Sequence, residues 1–85
     1  MKTIQKLIEA AADRGKGKSL GNHSFTRYEK EIRFAYHGNI VCYWNTGENV
    51  FRLDDCGWKG YSSTTRTLNS YRRILSQEYG AKESA

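Results

Sequence analysis

At 85 residues, the chain is long enough for one small domain with a single modest core. Hydrophobic residues make up only 38% of it, so that core must depend on the aromatic residues, which reach 13%. The net charge of +5 favours an acidic partner such as nucleic acid, an anionic protein surface or a membrane, although a basic protein kept soluble by self-repulsion would carry the same charge.

The cysteines and the amino-terminal segment both favour a reduced cytoplasmic protein. Cys42 and Cys56 are too few for a disulfide framework, although their number is compatible with one bridge. Gln5, Lys6 and Glu9 interrupt the first apolar segment, which argues against a secretory signal. No run approaches about 18 uninterrupted apolar residues, so we expect no membrane span.

The first predicted element is an amphipathic helix over about residues 3–14, with Thr3 as its N-cap. Its apolar stripe consists of Ile4, Leu7, Ile8 and Ala11. We expect the helix to dock on a sheet and not on a membrane surface, because its polar face is not strongly cationic. Residues 15–19 then form a flexible basic linker that lacks the spacing of a phosphate-binding loop.

Strands are predicted over about residues 20–53, and the short turns between them indicate an antiparallel meander. The four strands are His23 to Tyr28, Glu31 to His37, Ile40 to Trp44, and Val50 to Leu53. The third is apolar on both faces, which is typical of a central strand. Alternation gives the sheet two faces: if Ile32, Phe34, Phe51 and Leu53 face the helices, then Arg33, His37 and Arg52 project from the other face, and Tyr43 joins them if Cys42 and Trp44 point inward. The sequence leaves open which sheet face the helices cover.

Residues 54–61 form a Gly-Trp hinge between the strands and the last helix. Asp54 and Asp55 could be read as paired catalytic carboxylates, but adjacent residues after a strand point in different directions, so a turn-forming role is favoured. We expect Trp58 and Tyr61 to fold toward the core. The alternative is that Trp58, a lone aromatic residue on a Gly-flanked loop, is a binding hot spot.

A second amphipathic helix is predicted over about residues 63–79, with Ser62 or Ser63 as its N-cap and a frayed tail at 80–85. Its apolar stripe is formed by Leu68, Tyr71, Ile74, Leu75 and Tyr79. The expected fold is therefore α+β, with a four-stranded antiparallel β-meander packed against an N-terminal and a C-terminal helix.

The candidate binding residues are basic, polar or aromatic side chains predicted to project from the outer sheet face, the hinge and the last helix. They are Arg33, His37, Tyr43, Arg52, Lys59, Arg66, Asn69, Arg72 and Arg73. Basic residues interleaved with an aromatic residue can hold single-stranded nucleic acid, although a solvated polar face would have the same pattern. No zinc spacing and no catalytic constellation is present, so we expect no metal, no cofactor and no catalytic residue.

Several short motifs occur between Ser19 and Leu75, namely Leu20-Gly21-Asn22-His23-Ser24-Phe25, His37-Gly38-Asn39-Ile40-Val41, Gly57-Trp58, Ser63-Thr64-Thr65 and Leu68-Asn69. Together they resemble small accessory proteins encoded by tailed bacteriophages, in which a Gly-Trp turn precedes a Thr-Thr step and a helix start. The chain departs from that pattern at residues 54–56 and 59–61. The resemblance implies a viral protein acting in the host bacterial cytoplasm, and it implies that the hinge belongs to the fold. It implies no catalytic residue, since these relatives have no established activity.

Three hypotheses of function follow, and an enzyme is the least favoured class. The first is a non-enzymatic protein that binds and inhibits a host protein or ribonucleoprotein, as anti-CRISPR and other anti-defence proteins do. The second is direct DNA or RNA binding through Arg33, Arg52, Arg66, Arg72 and Arg73, which would weaken steeply with salt. The third is a self-associating virion component. The sequence determines neither the partner nor the oligomeric state.

Overall fold

The computed structural model describes residues 2–13, 15–58 and 60–84. Within these ranges the chain forms two helices and six strands: α1 (Lys2–Ala12), β1 (Gly17–Leu20), β2 (His23–Tyr28), β3 (Glu31–Tyr36), β4 (Asn39–Asn45), β5 (Val50–Leu53), α2 (Ser62–Glu78) and β6 (Lys82–Glu83). The α+β class with one helix near each end is confirmed. The predicted four-stranded meander is present but is extended by one strand at each edge.

The strands lie in the sheet in the same order as in the sequence, β1 to β6. Neighbours from β1 to β5 are antiparallel, whereas β6 pairs with β5 in parallel. Two predictions are therefore wrong: the linker at 15–19 contributes to β1, and the tail at 80–85 contributes β6. Both strands are short and largely exposed at the sheet edges, so no alternation of apolar residues marks them in the sequence.

The core lies between one sheet face, called the inner face here, and both helices. The four residues of the α1 stripe are fully buried, as predicted, and so is the inward set of the strands apart from the half-buried Leu53. In α2, Tyr71, Ile74 and Leu75 are buried, whereas Leu68 and Tyr79 are half-buried. Small hydroxyl side chains complete the buried face of α2: Thr64, Thr67 and Ser70.

A β-bulge explains why the sequence of β4 has apolar residues at positions predicted for both sheet faces. Phe34 pairs with Cys42, but the next residue of β3, Ala35, pairs with Ile40, so Val41 is the extra residue. The bulge turns Val41 as well as Cys42 into the core, and both are fully buried. The expectation of a central strand is confirmed, since β4 lies between β3 and β5, but its doubly apolar pattern comes from the bulge.

Neither helix begins as the hydroxyl residues suggested. Thr3 is already inside α1, so it is not the N-cap. The N-cap of α2 is Tyr61, and no described side chain caps that end. The other end of α1 is capped from the sheet: the Arg27 guanidinium donates to the carbonyls of Ala11 and Gly15, the latter at 3.1 Å from Nε. A cation at the carboxyl end of a helix also complements its dipole.

Asn49, in the turn before β5, connects the last three elements of the fold. Its Nδ2 donates to the Tyr79 carbonyl at 2.9 Å, and its Oδ1 accepts from Trp44 Nε1 at 3.0 Å. Its carbonyl accepts from the backbone N–H of Lys82 at 3.0 Å, where β6 begins. Asn49 has a left-handed φ of 57°, a conformation that asparagine tolerates better than most residues. One side chain thus joins the β4–β5 turn to the end of α2.

We expect Asn49→Gly to lower the free energy of unfolding by about 1–3 kcal/mol, because two side-chain hydrogen bonds are lost while the left-handed φ is kept. Asn49→Ala should cost more, since alanine is strained at this φ. Urea denaturation of both variants measures the difference, with Glu48→Gly, at an exposed position of the same turn, as a control for glycine insertion. Stability equal to the wild type in both variants would show that the Asn49 side chain does not hold the end of α2.

Candidate binding surfaces

The outer sheet face carries three of the predicted binding residues in a straight line across the strands. Arg33 of β3 pairs with Tyr43 of β4, and Tyr43 pairs with Arg52 of β5. Both helices pack on the inner face, so none of the described elements covers this line. The structure therefore brings together Arg33, Tyr43 and Arg52 as the alternation of the strands indicated.

Tyr28, at the end of β2, lies diagonally across from Arg33, whose direct partner on β2 is Thr26, and was missed by sequence reasoning. The Arg33 Cζ lies 4.4 Å from the centre of the Tyr28 ring and 5.9 Å from that of Tyr43, and the Arg52 Cζ lies 4.1 Å from the Tyr43 ring. These are cation–π contacts. We call Tyr28, Arg33, Tyr43 and Arg52 the Tyr/Arg row. Alternation from the inward Phe25 places Tyr28 outward, so the pattern of β2 contained the signal.

The two arginines of the row differ in their ionic contacts. Arg33 Nε donates to Glu31 Oε2 at 2.7 Å, and this hydrogen bond raises the pKa of the arginine. Both side chains are well exposed, so the pair contributes little to stability. Within the described part of the chain, Arg52 forms no ion pair with a carboxylate. Its guanidinium is therefore the one in the row that is free to bind an acidic group.

The predicted residues of α2 form a separate group on the opposite side of the molecule. Arg72 donates to both carboxylate oxygens of Glu83 in β6, at 2.7 and 3.2 Å, and to Asn69 Oδ1 at 2.7 Å. Bonding to Glu83 raises the pKa of Arg72. Arg72 thus links α2 to β6 through an exposed ion pair, Asn69 orients its guanidinium, and Arg66 and Arg73 are exposed beside them.

Three expectations about placement need correction or lie outside the structure. His37 is not on the outer sheet face: β3 ends at Tyr36, and His37 turns the chain with a φ of 52°. Ser70 is absent from the predicted apolar stripe of α2, which places it on the polar side with the arginines, but in the structure it is buried and donates to the Arg66 carbonyl at 3.0 Å. Lys59 lies outside the described residues. The nine predicted residues therefore do not form one surface.

The hinge is held by the turn-forming aspartates, which confirms their predicted role. Asp54 Oδ1 accepts from the Cys56 N–H and Asp55 Oδ1 from the Gly57 N–H, each at 2.9 Å. Cys56 and Cys42 are both free thiols. The Cys56 thiol donates to the Ile40 carbonyl at 3.1 Å, and burial, helped by Asp54 and Asp55, raises its pKa. This thiol is therefore protonated at neutral pH and is a poor nucleophile.

A surface cavity of about 350 Å³, wide open to solvent, lies where the hinge meets the β3–β4 turn and the start of α2. We call it the Trp58 cavity, and its lining residues are Tyr36, His37, Asn39, Trp58, Tyr61, Ser63 and Thr64. Trp58 is half-buried, and Tyr61 is 65% exposed. The prediction that Tyr61 folds toward the core is wrong, because the chain uses Tyr61 as the N-cap residue of α2.

His23 is a buried polar residue that sequence reasoning assigned no role. It is only 7% exposed, and its ring stacks on Tyr36 with centroids 4.8 Å apart. Its Nδ1 is buried and has no hydrogen-bond partner among the described residues. Burial lowers the pKa of His23, and the nearby His37 lowers it further. His23 is therefore neutral at pH 7.

Comparisons with protein families, with curated proteins and with solved structures find no match to this chain. Across residues 2–13, 15–58 and 60–84, no cluster of three His, Cys, Asp or Glu side chains could hold a metal ion. In the same ranges, neither helix has the length and apolar character needed to cross a membrane.

We expect the protein to lose stability as the pH falls from 7 to 5. The folded-state pKa of His23 is below its usual 6.5, so the unfolded chain binds more protons in this range and protonation favours unfolding. His23→Phe keeps a ring against Tyr36 but cannot titrate. Urea denaturation at several pH values should show a shallower decline for this variant. Equal declines for wild type and His23→Phe would contradict this assignment.

Trp58→Ala should destabilise the fold by about 1–2 kcal/mol, because the side chain is half-buried and lies outside the core cluster. Burial against the core, toward which the sequence predicts that Trp58 folds, would imply a loss of roughly 3 kcal/mol. Thermal unfolding of Trp58→Ala beside Trp44→Ala provides the comparison, since Trp44 is a core residue. Equal losses for the two variants would place Trp58 in the core after all.

Proposed function

We propose that this chain is a non-enzymatic binding protein that attaches through its Tyr/Arg row to an acidic site on a host protein or ribonucleoprotein and blocks that site. The observation that carries the proposal is the row itself, two arginines stacked against two tyrosines on a sheet face that no described element covers. The viral and cytoplasmic setting of this proposal rests on the sequence resemblance to tailed-phage accessory proteins.

The row has the physical properties of a binding hot spot. Tyrosine and arginine are enriched among the residues that dominate binding energies. Contact with the Tyr28 and Tyr43 rings holds both guanidinium groups near defined positions, so less side-chain freedom is lost when a partner binds. Tyr28 is 48% exposed, which leaves apolar ring surface for burial under a partner. The row thus combines positive charge with aromatic area.

The geometry favours carboxylates over stacked nucleobases. Tyr43 is contacted by both guanidinium groups, so its ring is already engaged within the row, and only Tyr28 keeps open ring surface on which a base could stack. The N–H groups of Arg52 have no carboxylate partner in the described part of the chain. A planar guanidinium binds a carboxylate in bidentate fashion, so an acidic protein surface suits the row.

Direct DNA or RNA binding is the second candidate, and the net charge of +5 favours it. The five arginines expected to contact phosphate are, however, divided between two sides of the fold. Arg33 and Arg52 lie on the outer sheet face, while Arg66, Arg72 and Arg73 lie on α2, which packs on the inner face. A single strand would meet only one of these groups along a straight path. This division supports a protein partner as the first candidate.

Capture from bacterial lysate tests the proposal. We expect wild-type protein to retain a stoichiometric partner that Arg52→Ala and Tyr43→Ala lose, with affinity for the purified partner falling about thirtyfold, as for a hot spot of about 2 kcal/mol. Arg66→Ala is the matched control, since it removes the same charge from the opposite side of the molecule and should bind normally.

Two results would contradict the proposal. Equal loss of the partner with Arg66→Ala would show that net charge, not the row, determines binding. Capture that disappears after nuclease treatment, together with direct binding of labelled DNA or RNA at low salt, would establish the nucleic-acid candidate in its place.

A further inference from the structure

The Trp58 cavity is built from three parts of the chain that are distant in sequence. Tyr36, His37 and Asn39 come from the end of β3 and the β3–β4 turn. Trp58 and Tyr61 come from the hinge, and the first turn of α2 adds two hydroxyl residues, Ser63 and Thr64. Several of the short motifs that stood out in the sequence therefore meet around one space, although the Tyr/Arg row uses none of them.

The walls of the cavity combine flat rings with hydrogen-bonding groups. Trp58 and Tyr61, both on the hinge, supply two aromatic rings, whereas the Tyr36 ring already lies against His23 and His37, with centroids 4.8 and 4.3 Å away. Asn39 uses its Nδ2 to donate to the His37 carbonyl at 3.3 Å, which leaves its amide oxygen as an acceptor. Ser63 adds a hydroxyl, and His37 adds an imidazole that can donate or accept. None of the described lining residues is a carboxylate.

We infer that the Trp58 cavity binds a nucleobase, either of a free nucleotide or of one unit of a single strand. A base has two flat faces that stack on aromatic side chains and a polar edge that needs donors and acceptors. A volume of about 350 Å³ is at the small end of the range for ligand cavities and suits one heterocycle with its sugar. The absence of carboxylates from the described lining suits a ligand that carries phosphate.

This site is independent of the proposed function. Tyr36 belongs to the inward set of β3, since it pairs with the buried His23, whereas Arg33 belongs to the outward set. The cavity is therefore at one end of the sheet, and the Tyr/Arg row is on its outer face. A failure to bind nucleotide would not affect the proposal for the Tyr/Arg row. A failure of the Tyr/Arg row to bind a partner would likewise not affect the inference for the Trp58 cavity.

The test follows the two tryptophan indole N–H signals by NMR as nucleotides are added. We expect AMP, GMP, CMP or UMP to shift the Trp58 signal saturably and to leave the signal of the buried Trp44 in place. Trp58→Phe assigns the two signals. Tyr61→Ala should weaken binding about tenfold, the effect of losing one base–aromatic stack, and its exposure of 65% makes unfolding an unimportant risk.

Tyr28→Ala, on the outer face, is the matched control and should bind nucleotide as the wild type does. A short single-stranded oligonucleotide that binds more tightly than any mononucleotide would identify a strand as the source of the base, and equal affinity would identify a free nucleotide. The inference is overturned if no nucleotide shifts the Trp58 signal, or if ribose 5-phosphate alone shifts it equally. It is also overturned if N-acetyltyrosinamide binds as tightly as the nucleotides, or if Tyr61→Ala and Tyr28→Ala behave alike.

Discussion

Tyr71 of α2 and Phe34 of β3 are both fully buried, and their rings meet with centroids 4.9 Å apart in the middle of the core. Phe34 also contacts Phe25 of β2, so this aromatic cluster connects the second helix to two strands of the meander. Burial raises the pKa of Tyr71 and keeps its hydroxyl protonated. In a chain with few apolar residues, aromatic contacts of this kind supply much of the buried area. They also determine which sheet face α2 covers.

The helices cover only one sheet face, so the other face is exposed to solvent. The Tyr/Arg row lies on this exposed face. On an exposed face, arginine and tyrosine side chains would normally sample many conformations. Here the cross-strand register places Arg33, Tyr43 and Arg52 directly opposite one another, so the guanidinium groups lie against the rings. The order of this surface is therefore a consequence of strand pairing, which depends in turn on the buried aromatic core.

The ends of the elements are held by side chains whose partners are distant in sequence. Arg27 of β2 caps α1, Asn49 joins the β4–β5 turn to the end of α2, and Arg72 binds Glu83 in β6. The hinge is an exception, because Asp54 and Asp55 bond to residues two positions ahead. This difference explains why the role of the aspartates was predictable. A local turn depends on neighbouring residues, whereas a tertiary cap depends on how elements meet.

The sequence by itself determined the two amphipathic helices, the four inner strands and the alternation that puts Arg33 on the sheet face opposite to Ile32 and Phe34, because these follow from periods of 3.6 and 2 residues. Which of the two faces the helices cover was decided by the tertiary structure. Only the tertiary structure decided that β1 and β6 join the sheet, since exposed edge strands need no apolar pattern. It also separated the α2 arginines from those of the sheet, because α2 packs on the inner face and directs its polar side away from the outer one. The Trp58 cavity depends on the meeting of the β3–β4 turn, the hinge and α2. The periodicity of one element does not predict this arrangement, because the distances between the three segments depend on how the helices pack on the sheet.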